Sequence, residues 1–290
     1  ADVRITLLDI SVVGVLLLSA ARSGTKRFYP KLWVPILVFT AVMLDSLMFV
    51  WRDTHSFAIG LLYTTRWLLY ASLYWAAAGS VFAPSMWLKT IVYSGIGIAI
   101  FGFIQFLLYP DLRNLMYLGW DPHYQRLFST LLDPNFAGII LAITALMLLG
   151  LGAHGKYLTW KIAALIITLG ALILTYSRSS LIAYIVGLLM WGFLTKRKML
   201  VLGIMLCIFG TMVLLPHTGE GRNLFRTVST YARVGSSLRA VELLRQKPIV
   251  GHGFVRMGID SSLLYVAAST GLVGLVGYLW IIVRLFTLGL

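Results

Sequence analysis

Nine apolar segments constrain the fold of this chain more than any other feature. They cover residues 5–21, 32–51, 57–82, 86–109, 134–153, 158–177, 180–194, 199–215 and 262–288. A bilayer requires about 20 apolar residues per helical span, and the backbone polar groups of a span must bond within it. The segments lack the alternation of barrel strands. The sequence predicts an all-α polytopic membrane protein of about nine spans, with residues 1–290 as a single transmembrane domain.

The composition agrees with this class, because 59% of the residues are hydrophobic and 12% are charged. The chain opens at Ala1 and stops in an apolar segment, so we expect further helices at each end. A signal peptide at residues 4–21 is the alternative for the first segment. Asp9 lies inside that apolar run and argues against it.

The short loops set the predicted orientation, because lysine and arginine in short loops favour the cytoplasmic side. The loops predicted to be cytoplasmic are 22–31, 83–85, 154–157 and 195–198. The N-terminus and the loops at 52–56, 110–133, 176–179 and 216–261 are then external.

Basic residues divide between these two faces by type. The predicted cytoplasmic face is dominated by lysine and has no acid, whereas the external face is rich in arginine and has eight of the ten acids. The planar guanidinium group makes paired bonds to phosphate and carboxylate oxygens. The arginine-rich face is therefore predicted to hold an anionic group.

The sequence contains no motif typical of a reactive cysteine or of a metal site. Cys207 is the single cysteine, the five histidines form no HxH or HExxH motif, and no DxD pair offers a divalent cation two ligands. We therefore expect metal-independent chemistry and no cofactor. No nucleic-acid partner is expected.

The first external segment of interest, 110–135, has two Asp-Pro turns on either side of Arg126. Asp133 is predicted to cap a helix that has Pro134 in its first turn and Asn135 next to it. An ordinary loop-to-helix junction explains this spacing as well as a binding role does.

The second segment, 175–180, is a hinge between two apolar helices with Arg178 between Ser177 and Ser179. A charge beside the bilayer needs water, a carboxylate or an anionic ligand. Snorkelling of the arginine to the interface and a cradle for phosphate oxygens are both open here.

The third segment is the long loop 216–261, in which residues 235–245 read as a short amphipathic helix entered through serine caps. Arg239 lies on its polar side, and positions 238, 241 and 244 form an apolar face suited to a membrane surface. Non-specific headgroup binding is the alternative. The Gly251-His252-Gly253 turn follows, with no strand before it to suggest a dinucleotide loop. Asp260 then precedes the last helix.

These segments resemble a family when they are taken in order. The stretches RLFSTLLDPNFAG (126–138), TYSRSS (175–180), SLRAVELLRQKPIVGHGF (237–254) and IDSSLLYVAASTGLVGLVGYL (259–279) are similar to those of the O-antigen ligase and polysaccharide polymerase (Wzy-like) superfamily of bacterial membrane glycosyltransferases. Each motif is short, and the resemblance covers about 126–280.

The resemblance implies a GT-C-like fold in the bacterial cytoplasmic membrane. It also implies metal-independent transfer of an undecaprenyl-diphosphate-linked oligosaccharide to a glycan acceptor on the external side. Arg178 and Arg239 would hold the diphosphate, with Arg126, Ser177 and Ser179 beside them. Membrane lipids and a chain-length regulator protein are the further partners implied.

The chain departs from the ligase branch, which has a His-Asn pair where this sequence has Asp260 and Ser261. A polymerase is therefore favoured over a ligase. Asp260 is the hypothesised base, since partial burial would strengthen its basicity, and His252 is the other candidate. The main competitor from another class is a transporter or flippase, and its best evidence is the pair of intramembrane charges Asp45 and Arg66. We expect these two residues to form a structural ion pair and not a transport path.

Overall fold

The computed structural model describes residues 7–22, 31–78, 84–118, 120–151, 158–214, 228–255 and 257–289. These residues form helices and connecting turns, with one isolated bridge between Asp111 and Tyr124. The all-α prediction is confirmed for the described chain. Its α-helices are α1 (Leu7–Arg22), α2 (Trp33–Leu47), α3 (Thr54–Ala78), α4 (Pro84–Leu108), α5 (Pro134–Gly150), α6 (Leu158–Leu174), α7 (Arg178–Thr195), α8 (Lys198–Leu214), α9 (Val228–Gln246) and α10 (Ser262–Gly289).

Three of the described helices are long and apolar enough to cross a membrane. They comprise 85–108 in α4, 178–195 in α7 and 262–288 in α10. The shorter apolar helices have 17 residues or fewer, which corresponds to about 26 Å at the usual helical rise and is less than the hydrocarbon core. A span count of nine therefore stays a prediction.

The described chain groups into two compact units. Unit 1 contains residues 1–81 and 227–290, and unit 2 contains residues 82–226. In unit 1, α10 packs on α2 around Phe39, whose ring meets the edge of Trp67 at a centroid distance of 5.3 Å. The ring of Tyr278 covers Phe39 from α10 at 5.6 Å.

The expected ion pair between Asp45 and Arg66 is wrong. Arg66 bonds instead to Asp9, from Nε to Oδ1 at 2.9 Å and from Nη2 to Oδ2 at 2.6 Å. Tyr70 also donates its hydroxyl to Asp9 at 2.9 Å. The physical reason is that α1 packs along α3, which brings the buried carboxylate of Asp9 to the guanidinium, whereas Asp45 is exposed near the end of α2.

Helix α10 is interrupted at Gly271, where φ is 69° and ψ is −170°. The turn 248–253 docks against the break through four backbone hydrogen bonds. The amides of 252 and 253 donate to the carbonyls of 268 and 269, and the amides of 272 and 273 donate to the carbonyls of 248 and 249. The turn thus satisfies backbone groups that the interruption would leave exposed in an apolar environment.

This docking explains two of the glycines in the sequence. Gly251 has φ +70°, and a Cβ there would meet the backbone of Ser269. A Cβ at Gly271 would meet the carbonyl of Ile249 in the same way. Both positions need left-handed backbone and close backbone contact, which glycine alone accommodates without strain.

In unit 2, α5 packs against α4, α6 and α7. The buried core includes Leu141 and Ala145 from α5, Leu172 from α6, and Tyr184 and Leu188 from α7. At one end of this core a Cβ at position 138 would meet the side chain at 180, so the two helices lie unusually close there. That close approach positions the first turns of α5 and α7 beside each other.

The amphipathic helix of the long loop is longer than predicted. Helix α9 begins at Val228, and Ser237 lies inside it, with its hydroxyl bonded to the carbonyl of Arg233. The predicted serine caps are therefore wrong, because these hydroxyls bond within a helix that is already formed. Ala240 of α9 is buried, whereas Leu238, which lies on the predicted apolar face, is 65% exposed.

Candidate functional site

The loop between α4 and α5 is folded back on itself before it reaches Arg126. The amide of Leu112 donates to the carbonyl of His123 at 2.8 Å, and the amide of Gln125 donates to the carbonyl of Pro110 at 2.7 Å. Arg113 makes a two-pronged bond to Asp111. Hydrogen bonding to the Arg113 side chain holds the pKa of the Asp111 carboxyl below its ordinary value. The two backbone bonds fold the loop back on itself, and the Arg113–Asp111 pair lies on its exposed side.

Arg126 is buried to 3% exposure and bonds to the hinge between α6 and α7. Its Nε donates to the carbonyl of Thr175 at 2.8 Å, and the neighbouring amide of Leu127 donates to the carbonyl of Leu174 at 2.9 Å. The two segments that contain Arg126 and Arg178, both predicted to be external, therefore meet in unit 2.

Asp133 caps α5 as the sequence predicts. Its Oδ1 accepts hydrogen bonds from the amides of Asn135 at 2.6 Å and Phe136 at 3.2 Å, with Pro134 in the first turn. An extended Asp-Pro dipeptide favours this arrangement, because the carboxylate then faces the exposed amides of the first turn. The capping prediction is confirmed.

Ser177 links the starts of α5 and α7. Its buried hydroxyl donates to the side-chain oxygen of Asn135 at 2.9 Å and lies 2.9 Å from the hydroxyl of Ser180. Within the described chain, this hydroxyl makes no capping bond to the first turn of α7. The first turn of α7 contains the half-buried Arg178 and the exposed Ser179, a guanidinium and a hydroxyl at a helix start, which is a combination that suits phosphate oxygens.

Two residues beside this site were missed by the sequence analysis. Asp121 and His123 lie near Asp133, with one ligand atom from each of the three within 4.8 Å of the others. His123 also contacts Arg126, with Nδ1 3.5 Å from Nη1. The Asp-Pro-His sequence indicates a turn, and the spacing of ten residues between His123 and Asp133 matches no ligand motif.

In unit 1, the turn that contains His252 is anchored rather than mobile. The amide of Gly251 donates to the carbonyl of Lys247 at 3.1 Å, and the amides of His252 and Gly253 donate to α10. His252 Nε2 lies 2.9 Å from the carbonyl of Leu243. Because a carbonyl only accepts, Nε2 donates, and Nδ1 keeps a lone pair that can accept a proton.

Asp260 has a weaker geometric case as a base than the sequence suggested. It lies two residues before α10, as expected, but its side chain is exposed and not partly buried. Its backbone amide donates to the hydroxyl of Ser236 on α9 at 2.9 Å, a bond that does not involve the carboxylate. The predicted burial is absent, since the bond of Asp260 to α9 is made by its backbone and leaves the side chain exposed.

Arg239 is exposed on α9, the same helix that orients His252 and Asp260. The predicted site residues thus form two sets, one in each unit. Unit 2 contains Arg126, Asp133, Asn135, Ser177, Arg178 and Ser179, and unit 1 contains Arg239, Gly251, His252, Gly253 and Asp260.

In comparisons with protein-family models, curated proteins and solved structures, no match to this chain is found. The resemblance to the O-antigen ligase and polysaccharide polymerase superfamily therefore stays a prediction, and it rests on the four sequence segments.

Proposed function

We propose that this protein is a membrane glycosyltransferase that polymerises or transfers an undecaprenyl-diphosphate-linked oligosaccharide on the external side of the bacterial cytoplasmic membrane. A cell-surface polysaccharide polymerase is favoured, and an O-antigen ligase is the alternative within the same superfamily. The polytopic arrangement with about nine spans and a GT-C-like fold belongs to this proposal.

One observation carries the proposal furthest. Three segments distant in sequence, around residues 126, 133–135 and 175–180, meet at one end of unit 2 through the bonds from Arg126 to Thr175 and from Ser177 to Asn135, and the segment 175–180 also contains Arg178. Guanidinium and hydroxyl donors bind a diphosphate better than an uncharged sugar or a cation.

The chemistry follows from a single displacement. An acceptor hydroxyl attacks the anomeric carbon, the bond from that carbon to the diphosphate oxygen breaks, and the lipid diphosphate leaves with the bonding electrons. Guanidinium groups stabilise the charge on the leaving group without a metal, and the displacement inverts the anomeric centre. Each preorganised donor of this kind contributes about 10²–10³ in rate.

The hydroxyl proton needs an acceptor, and the geometry favours His252 over Asp260. The bond from His252 Nε2 to Leu243 orients the ring and leaves Nδ1 as the basic atom. We expect His252→Gln to lose transfer while donor binding persists, and Asp260→Asn to retain transfer. The opposite result would return the role of base to Asp260.

Substitution of the two arginines tests the proposed diphosphate binding. We expect Arg178→Lys and Arg239→Lys each to lower turnover by about 10²–10³, because an ammonium group keeps the charge but cannot make the paired bonds. Arg113→Lys and Arg233→Lys are matched controls from the same loop and the same helix, and both should retain activity. The assay is glycan extension by purified protein supplied with lipid-linked oligosaccharide. Wild-type turnover by the two site variants would refute the diphosphate role.

A transporter or flippase remains the second candidate, because α10 is interrupted at Gly271. Interrupted helices form substrate sites in several transporter folds. In this chain the docked turn 248–253 already bonds to the groups beside the break, which favours a structural role. Movement of a labelled lipid-linked oligosaccharide across a vesicle membrane without glycosidic bond formation would identify a transporter.

A further inference from the structure

We propose that Asp121, His123 and Asp133 form a binding site for one divalent transition-metal ion of the Zn²⁺ type, which joins the two Asp-Pro turns on either side of Arg126. The ion is a structural clip in this proposal and takes no part in glycosyl transfer. The inference is independent of the proposed function.

The first support for this metal site is the short distance between the three side chains. They offer two carboxylate oxygens and one imidazole nitrogen, and these atoms lie within 4.8 Å of one another. Around a zinc ion, ligand atoms about 2.1 Å from the metal are about 3.4 Å apart. Side-chain rotation can close that difference while the backbone stays in place.

The backbone of both turns is fixed by bonds that need no ion. The carbonyl of His123 accepts from the amide of Leu112, and Tyr124 pairs with Asp111 in the isolated bridge. Asp133 is held by its capping bonds to α5, which use Oδ1 and leave Oδ2 for a further partner. The backbone at His123 and the carboxylate of Asp133 are therefore held in place by the fold.

Repulsion between the two carboxylates favours a cation between them. Among the described residues, no lysine or arginine forms an ion pair with Asp121 or Asp133. Two carboxylates at this separation repel each other, and a divalent ion between them removes that repulsion.

The histidine decides the class of ion. His123 supplies the nitrogen ligand of the set, and Arg126 Nη1 lies 3.5 Å from its Nδ1. Imidazole with two carboxylates suits zinc better than magnesium or calcium, which prefer oxygen alone, and three protein ligands leave one position for water.

The test uses the full chain, purified in detergent through a tag that contains no histidine and stripped with a chelator. Zn²⁺ binding is measured by calorimetry, and Co²⁺ serves as a spectroscopic probe of the same ligands. Asp121→Asn and His123→Gln each remove one ligand. Asp111→Asn is the matched control, since this carboxylate lies in the same loop but bonds to Arg113.

We expect wild type and Asp111→Asn to bind one equivalent of Zn²⁺, to give the same Co²⁺ absorption, and to gain about 5 °C in melting temperature at saturating ion. Both ligand variants should bind at least about tenfold more weakly and lose the Co²⁺ signal.

Melting curves without ion show whether each variant is folded, and two different ligand variants are used in case one fails to fold. Absence of saturable binding by wild type, or undiminished binding by either folded ligand variant, would overturn the proposal. No glycan is present in this measurement, so its result and the fate of the transferase proposal are separate.

Discussion

The docked turn in unit 1 makes Gly251→Ala the most informative single substitution. At φ +70°, an alanine costs about 1–2 kcal/mol relative to a right-handed conformation. Its Cβ would also meet the backbone of Ser269, so the turn has to move away from α10. That movement weakens the four backbone hydrogen bonds beside the break, each worth about 1 kcal/mol. We expect a total loss of about 3–5 kcal/mol in the free energy of unfolding.

Two other glycines provide matched controls for this calculation. Gly258 also has a left-handed backbone, at φ +64°, but no atom lies within 4 Å of a Cβ placed there, so Gly258→Ala should cost only the conformational 1–2 kcal/mol, roughly. Gly235 lies inside α9 with open space around it, and Gly235→Ala should stabilise by about 0.5–1 kcal/mol. Reversible unfolding of the purified variants in mixed micelles measures all three. Equal losses for Gly251→Ala and Gly258→Ala would refute the argument from docking.

The remaining predictions concern the ion pair in unit 1 and the orientation of unit 2. Asp9→Asn should cost about 2–3 kcal/mol in the same assay, because it leaves a partly buried guanidinium without its carboxylate, whereas Asp45→Asn should change stability by less than about 0.5 kcal/mol. Equal effects would contradict the observed pairing. In a Cys207→Ser background, a cysteine at Tyr117 should react with an impermeant thiol reagent added outside the cell, and one at Lys196 should not. Labelling at 196 but not at 117 would reverse the predicted orientation.

Local sequence signals predicted the parts of unit 2 that depend on neighbouring residues. Asp133 before Pro134 specifies a helix start within four residues of chain, and the hinge at 175–180 is marked by polar residues between two apolar runs. The burial of Arg126 against Thr175 was not predictable, because it requires contact between residues 49 positions apart.

The sequence misled where a residue had several chemically reasonable partners. Asp45 and Asp9 are both acids in apolar segments, and only the packing of α1 on α3 selects Asp9 for the bond to Arg66. Serines resemble caps in sequence even when, like Ser237, they lie inside a helix. Residues next to Gly271 in sequence do not predict the break in α10, because the backbone groups at the break bond to a turn about twenty residues earlier.

The most direct test of the central claim is transfer of a radiolabelled lipid-linked oligosaccharide by the purified protein in reconstituted vesicles. We expect longer glycans to appear with inverted anomeric configuration, the lipid diphosphate to be released in equal amount, and Arg178→Lys to abolish most of both. Donor binding or movement across the vesicle membrane with no new glycosidic bond would contradict this claim.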